Sequence, residues 1–124
     1  MPDKKAPAGN RARARANPVT GCPLTAALAA IGGKWKLIII YWLAAEPTHF
    51  AGLRRKMSGI SQKVLTQQLR ELQADGIVHR RPAARPADPV VYSLTPYGRS
   101  LLPLVEHVRR WGRGHLMRQS RAAS

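Results

Sequence analysis

The chain has 124 residues, enough for one domain with a real core and too few for two ordinary ones. Twenty-one Lys and Arg stand against six Asp and Glu, a formal net charge of +15, and the surplus is spread, with five bases and one acid in residues 1–16 and fifteen bases and five acids in residues 20–118. Such a chain suits polyanions, since each phosphate it neutralises releases a condensed counterion; nucleic acid is the first candidate and an anionic membrane surface the weaker one, because no helix joins a basic face to a broad apolar face of exposed Trp, Phe and Leu.

Residues 1–19, MPDKKAPAGNRARARANPV, hold little to bury and are expected to be a disordered basic arm, of the kind that can touch phosphates or simply remain solvated. Pro23 after Cys22 is placed to open a first helix, with Leu24, Leu28 and Ile31 in one apolar row and Gly32-Gly33 as its stop. A second helix over 34–45 is apolar nearly all round, so it belongs at the centre of the core. Its run from Leu37 to Ala45 is about half of what a bilayer span needs. No charged leader with a hydrophobic segment and cleavage site opens the chain, and a cytoplasmic protein is expected.

Phe50, Leu53, Met57 and Ile60 recur at steps of three, four and three, with Arg54, Arg55 and Lys56 on the other side, as in a third helix. The stretch GISQKVLTQQLRELQADG follows almost at once. Ser61 is placed to cap it, Ile60 can staple onto Leu65, and Leu65, Leu69 and Leu72 form a buried stripe before Asp75-Gly76 ends it. The remaining face carries Gln62, Lys63, Thr66, Gln67 and Arg70 with no acid among them, a set of donors and mixed groups that suits base edges and phosphates; the same face would also serve as an ordinary solvated surface. Two short helices joined by a tight glycine turn, the second with a cationic polar face, make a helix-turn-helix.

After Gly76, Ile77 to Arg81 and Val90 to Leu94 are β-prone runs around the proline-rich tip PAARPADP, which predicts a hairpin with Arg80, Arg81 and Arg85 on or beside the tip. Thr95-Pro96 then caps a last helix with Tyr97, Leu101, Leu104, Val105, Val108 and Trp111 at core spacing and a bend expected at Pro103. Its end is basic, with residues 119–124 expected as a frayed tail beyond a domain spanning 20–118.

This order predicts a mainly α fold with a small β-hairpin, a winged helix-turn-helix. Cys22-Pro23-Leu24, Ile31-Gly32-Gly33-Lys34-Trp35, Phe50 with Leu53-Arg54-Arg55, Gly59-Ile60-Ser61, Lys63-Val64-Leu65-Thr66-Gln67, Leu69-Arg70-Glu71-Leu72, Asp75-Gly76, and Tyr92-Ser93-Leu94-Thr95-Pro96 with Gly98 closely resemble the HxlR family of bacterial transcriptional regulators, in order from Cys22 to about Trp111. The resemblance implies a homodimer built from the first and last helices, each subunit placing the helix from Gln62 in a major groove of a palindromic double-stranded operator, with the hairpin as wing on the flanking backbone. It also implies a repressor or activator, in some members responsive to oxidants or electrophiles through a cysteine at the position of Cys22. The chain departs from the family at Ala51 and Gly52, where a polar cap and a glutamate are usual, so the third helix is expected to lack a side-chain cap and to fray at a cost of about 1 kcal/mol.

The candidate DNA-reading residues are Ser61, Gln62, Lys63, Thr66, Gln67 and Arg70 on the recognition helix, with Arg80, Arg81 and Arg85 as phosphate contacts on the wing. Cys22 has two readings: a thiolate favoured by a helix N-terminus and basic surroundings, hence a redox sensor, or a small apolar residue packed at a helix start. As the one cysteine it can form no disulfide within the chain, so oxidation would have to cross-link subunits or form a mixed adduct. His49, His79, His107 and His115 fall on separate elements without ligand spacing, and no nucleophile elbow or phosphate-binding glycine loop occurs; neither a metal, a cofactor nor an enzyme activity is expected. Trp35, Trp42 and Trp111 fall in core rows and are expected to pack. Whether a pocket between the dimer helices takes a small-molecule or oxidant effector is left open by the sequence. A sequence-indifferent nucleic-acid binder, architectural or RNA-associated, is the competing class.

Overall fold

The structure, a computed structural model, describes residues 21–123. The arm expected at 1–19 lies outside them. In chain order the elements are α1 (Pro23–Ile31), α2 (Lys36–Ala45), β1 (Thr48–His49), α3 (Phe50–Lys56), α4 (Gln62–Ala74), β2 (Val78–Arg81), β3 (Val91–Leu94), α5 (Pro96–Arg99) and α6 (Leu102–Ala123). The core gathers Ile39, Ile40 and Leu43 of α2, Leu53 and Met57 from the α3 region, and Leu65, Leu69 and Leu72 of α4, with Ile77, Val78 and Leu94 closing it from the sheet. The expected winged helix-turn-helix is this architecture. Among the described residues no single helix is long and apolar enough to cross a membrane.

The local chemistry of α4 follows its sequence closely. Ser61 Oγ accepts the Val64 N–H at 3.1 Å, and the helix ends at Gly76, whose φ of +74° an L side chain rarely adopts. Gly59 does the same in the turn before it, at φ +88°. Arg54 Nε reaches over that turn to donate to the Ile60 carbonyl at 3.3 Å, so one arginine of α3 fixes the angle between the two helices.

Four expectations need correction. The sheet has three strands rather than two, in the order β1-β3-β2, because Thr48 and His49 pair antiparallel with Tyr92 and Val91; two residues are too few to show a period. The third helix does have a side-chain cap. His49 Nδ1 accepts the Gly52 N–H at 3.2 Å, and Gly52 is what admits the ring: a Cβ there would lie 2.6 Å from His49 Nδ1 and Cε1. The glycine that looked like a weakness is therefore the partner of the cap. Replacing His49 by alanine is expected to cost about 1 kcal/mol and lower the melting temperature by roughly 4 to 8 °C, with His49→Asp recovering most of it; an unchanged melting temperature would show that the imidazole holds nothing.

The last helix is not one bent rod. It breaks at Ser100-Leu101 between α5 and α6, leaving Pro103 in the first turn of α6, where its missing N–H forfeits no helical bond, and α6 then runs to Ala123 where a frayed tail was expected after residue 118. Thr95 ties α5 to the end of α4: its Oγ1 accepts the Gly98 N–H at 2.9 Å and donates to the carbonyl of Gly76 at 2.6 Å. Gly98 is buried where any Cβ would strike the Ile77 carbonyl.

Finally, several residues of the last helix placed in the core by their spacing lie outside it. Tyr97, Leu104, Val108 and Trp111 are exposed, Trp111 by 68%, while Val105 is buried and Leu101 half-buried; of the apolar row of α1, Leu24 and Leu28 are exposed as well, Leu28 by 58%. Trp35 and Trp42 do pack against the core, but Trp111 instead stacks on His115 at 5.0 Å.

Candidate nucleic-acid interface

Helical geometry decides which side chains α4 can offer together. At about 100° per residue, positions 62, 63, 66, 67 and 70 fall within an arc of about 140°, and Leu65, Leu69 and Leu72 fall outside it on a separate stripe. The packing agrees: the three leucines are buried, Gln62, Lys63, Gln67 and Arg70 are exposed, and Thr66 is half-buried. Ser61 serves the helix as its cap, so its hydroxyl is already engaged with Val64 N–H.

The first turn of α4 opens beside α3. Phe50, Ala51, Arg54 and Arg55 line a cleft with Gln62, which adds cationic groups next to the polar arc of α4. Sequence reasoning put Arg54 and Arg55 on an outer face without joining them to this site. The one acid near the arc is Glu71, and it is occupied. Its Oε1 lies 2.7 Å from Lys36 Nζ of α2, with the two side chains only 7% and 14% exposed in the order Lys36, Glu71, and its Oε2 accepts from Gln67 Nε2 at 2.7 Å. No spacing in the sequence announces this link, because its two charges lie thirty-five residues apart on helices read separately.

On the wing, Arg80 pairs with Tyr92 and Arg81 with Val91. Successive strand side chains leave opposite faces, so the two exposed arginines project to opposite sides of the ribbon and do not form one patch. Arg85 stands in the tip, 82% exposed, with its Nε 3.5 Å from Asp88. Cys22 is exposed at the N-cap of α1. Hydrogen bonds from the backbone and hydroxyl of Thr25 and the backbone of Leu24 hold its thiol below the ordinary range, as expected at a helix N-terminus. Among the described residues no three His, Cys, Asp or Glu side chains gather as a metal site would require.

A mostly helical domain with a three-stranded antiparallel wing and a donor-rich second helix in its helix-turn-helix is a DNA-binding transcriptional regulator of the winged helix type. Residues 30–120 match the family model described as HxlR-like helix-turn-helix, and the chain belongs to that family. It is 47% identical over 92 residues to the HTH-type transcriptional regulator YybR of Bacillus subtilis (strain 168), covering 74% of each chain. Among solved structures it is similar to the redox regulator HypR in its oxidised form, at TM-score 0.72 and 45% identity over 75% of this chain and 96% of that one. It is also similar to the reduced form of the transcriptional regulator YodB from B. subtilis, at TM-score 0.65 and 30% identity over 73% and 90% of the two chains.

Proposed function

We propose that the protein is a homodimeric, sequence-specific regulator that reads a palindromic duplex with α4. The observation that carries this reading is the polar arc of Gln62, Lys63, Thr66, Gln67 and Arg70, exposed except for the half-buried Thr66, free of any projecting acid and backed by a leucine stripe that fixes its direction. In a major groove Gln can pair with adenine and Arg or Lys with guanine. Arg80, Arg81 and Arg85 serve as backbone contacts on either side of the ribbon; they add affinity and salt dependence without sequence information. Two subunits related by a two-fold axis would set their α4 helices about 34 Å apart, hence half-sites one helical turn apart.

The test is selection of preferred sites from random duplex DNA. The parent chain should hold its site against bulk competitor by roughly a thousandfold or more. Gln67→Ala and Arg70→Ala should each relax preference at one base pair per half-site, by about tenfold to a hundredfold. Selection of the same operator by both variants removes the reading face from α4, and loss of the site to random competitor favours the sequence-indifferent alternative.

Cys22 is the residue through which such a regulator could respond to oxidants. Its exposure and its lowered thiol support this reading, and the redox regulator HypR is similar in fold. Two Cys22 thiolates, one per subunit, would give two electrons to the oxidant and join as a disulfide, or one Cys22 thiolate and a small thiol would together give two electrons to the oxidant, the thiol losing its proton to water, and join as a mixed disulfide. Oxidant should then change operator affinity in the parent and leave Cys22→Ser unaffected, as read by mobility shift. Equal responses in both proteins would end the sensor role.

A further inference from the structure

We infer that Glu71, held by the buried Lys36, is a positioning residue that sets the orientation of the Gln67 amide and thereby the base that Gln67 reads; this rests on α4 being the reading helix. The two groups differ in what they can offer. A carboxylate only accepts hydrogen bonds, whereas a glutamine amide has an accepting oxygen and two donating hydrogens. Glu71 Oε2 lies 2.7 Å from the Gln67 amide nitrogen. Turning that amide over would set its oxygen against the carboxylate, two acceptors face to face, so one orientation is selected.

The carboxylate itself cannot drift. Its other oxygen is 2.7 Å from the Lys36 ammonium, and Lys36 stands at the start of α2, whose Ile39, Ile40 and Leu43 are core. The direction of an exposed side chain is thus set from inside the protein. What Gln67 has left to offer is its carbonyl oxygen and one N–H. Together these are the complement of adenine in the major groove, whose N6 amine donates and whose N7 accepts. An amide free to turn could instead present its groups in reverse and tolerate other pairs. On this reading the link between Lys36, Glu71 and Gln67 turns a flexible polar residue into a selective one, at a side chain that need not touch the DNA.

Three variants test this by site selection on the full chain, with thermal melting as the check on folding. Lys36→Met with Glu71→Leu removes both charges together, Gln67→Ala removes the reader, and a third protein carries all three changes. The paired replacement should relax preference at the same base pair as Gln67→Ala, by about tenfold or more, and the triple variant should relax it no further than Gln67→Ala does. The slope of affinity against salt should be that of the parent in all three, since no phosphate contact is lost. If the paired replacement does not fold, Glu71→Gln carries the test: its amide oxygen must face the Lys36 ammonium, so its NH2 faces Gln67 and turns that amide over, and the parent's preference at that base pair should be lost to the same extent. A paired variant that keeps the parent's preference while Gln67→Ala loses it overturns the positioning role alone. So does a uniform loss of affinity for every sequence, which is the mark of a merely structural pair. If Gln67→Ala itself keeps the parent's preference, the reading face fails and the inference falls with it.

Discussion

Glu71→Ala is expected to be the most damaging single change on the polar half of α4, lowering stability by about 3 kcal/mol and the melting temperature by roughly 12 to 24 °C. The reason lies in what the substitution leaves behind. Lys36 is nearly sealed, and removing its partner strands an ammonium in a site prepared for a neutral pair of charges. Breaking a buried pair on one side costs about 3 to 5 kcal/mol in proteins generally. The lower end applies here, because Lys36 opens α2 and its four-carbon stem can swing toward water. Taking out both charges should behave quite differently, since Lys36→Met with Glu71→Leu fills the site with apolar atoms and leaves no charge to desolvate; it should melt within a few degrees of the parent. Thermal unfolding of the two proteins decides it. A Glu71→Ala chain that melts with the paired variant would mean that Lys36 reaches solvent without penalty. Because the pair is buried, the gap between the variants should persist in high salt, where an exposed ion pair such as Arg85 with Asp88 contributes nothing measurable.

This ion pair also marks where the sequence stops being legible. Signals carried within one turn of chain were readable: the Ser61 cap, the leucine stripe at steps of four and three, the glycines at 59 and 76 whose positive φ ends or turns the chain. Signals that need two distant segments were not. The His49 cap depends on the absence of a side chain at Gly52, the strand at Thr48-His49 exists only because β3 passes beside it, and Lys36 finds Glu71 across the core. Charges on separate helices look solvated until the fold brings them together. The polar arc of α4 was legible as a set of residues, while the cleft that joins Gln62 to Arg54 and Arg55 was not.

The apolar rows of α1 and α6 illustrate a different limit. Periodicity in Leu24, Leu28, Leu104, Val108 and Trp111 states that a face is apolar and is silent on what covers it. Within one chain that face is open: Leu24 and Leu28 of α1 and Leu104, Val108 and Trp111 of α6 stand out of the core, and Ala26, Ala27 and Ala30 line a groove with Tyr97, Leu101 and Leu104. Beside it the helix is cationic, with Arg109 donating twice to Glu106, from Nε and Nη2, at 2.9 Å, an exposed contact that holds the glutamate carboxyl below its ordinary range.

If a second copy covers this face in solution, a charge placed within it should separate the subunits while sparing the fold. Leu28→Glu and Trp111→Glu are suited to this, because each replaces a side chain more than half exposed in the single chain, so neither opens a cavity nor buries a charge in the monomer. Burying that carboxylate between subunits without a partner is what should be costly. Sedimentation should then show monomers at concentrations where the parent is a dimer. Operator binding should suffer far more than the fold, since two half-sites engaged by one dimer gain from an effective concentration that two separate chains lack; affinity for the palindrome should drop by about a hundredfold or more. Affinity for an isolated half-site should stay near the parent's, because the α4 arc and the wing are untouched. The contrast between palindrome and half-site is the decisive measurement. A monomeric variant that binds the palindrome as tightly as the parent would separate DNA reading from dimerisation altogether, and a variant that remains dimeric would move the subunit interface away from α1 and α6.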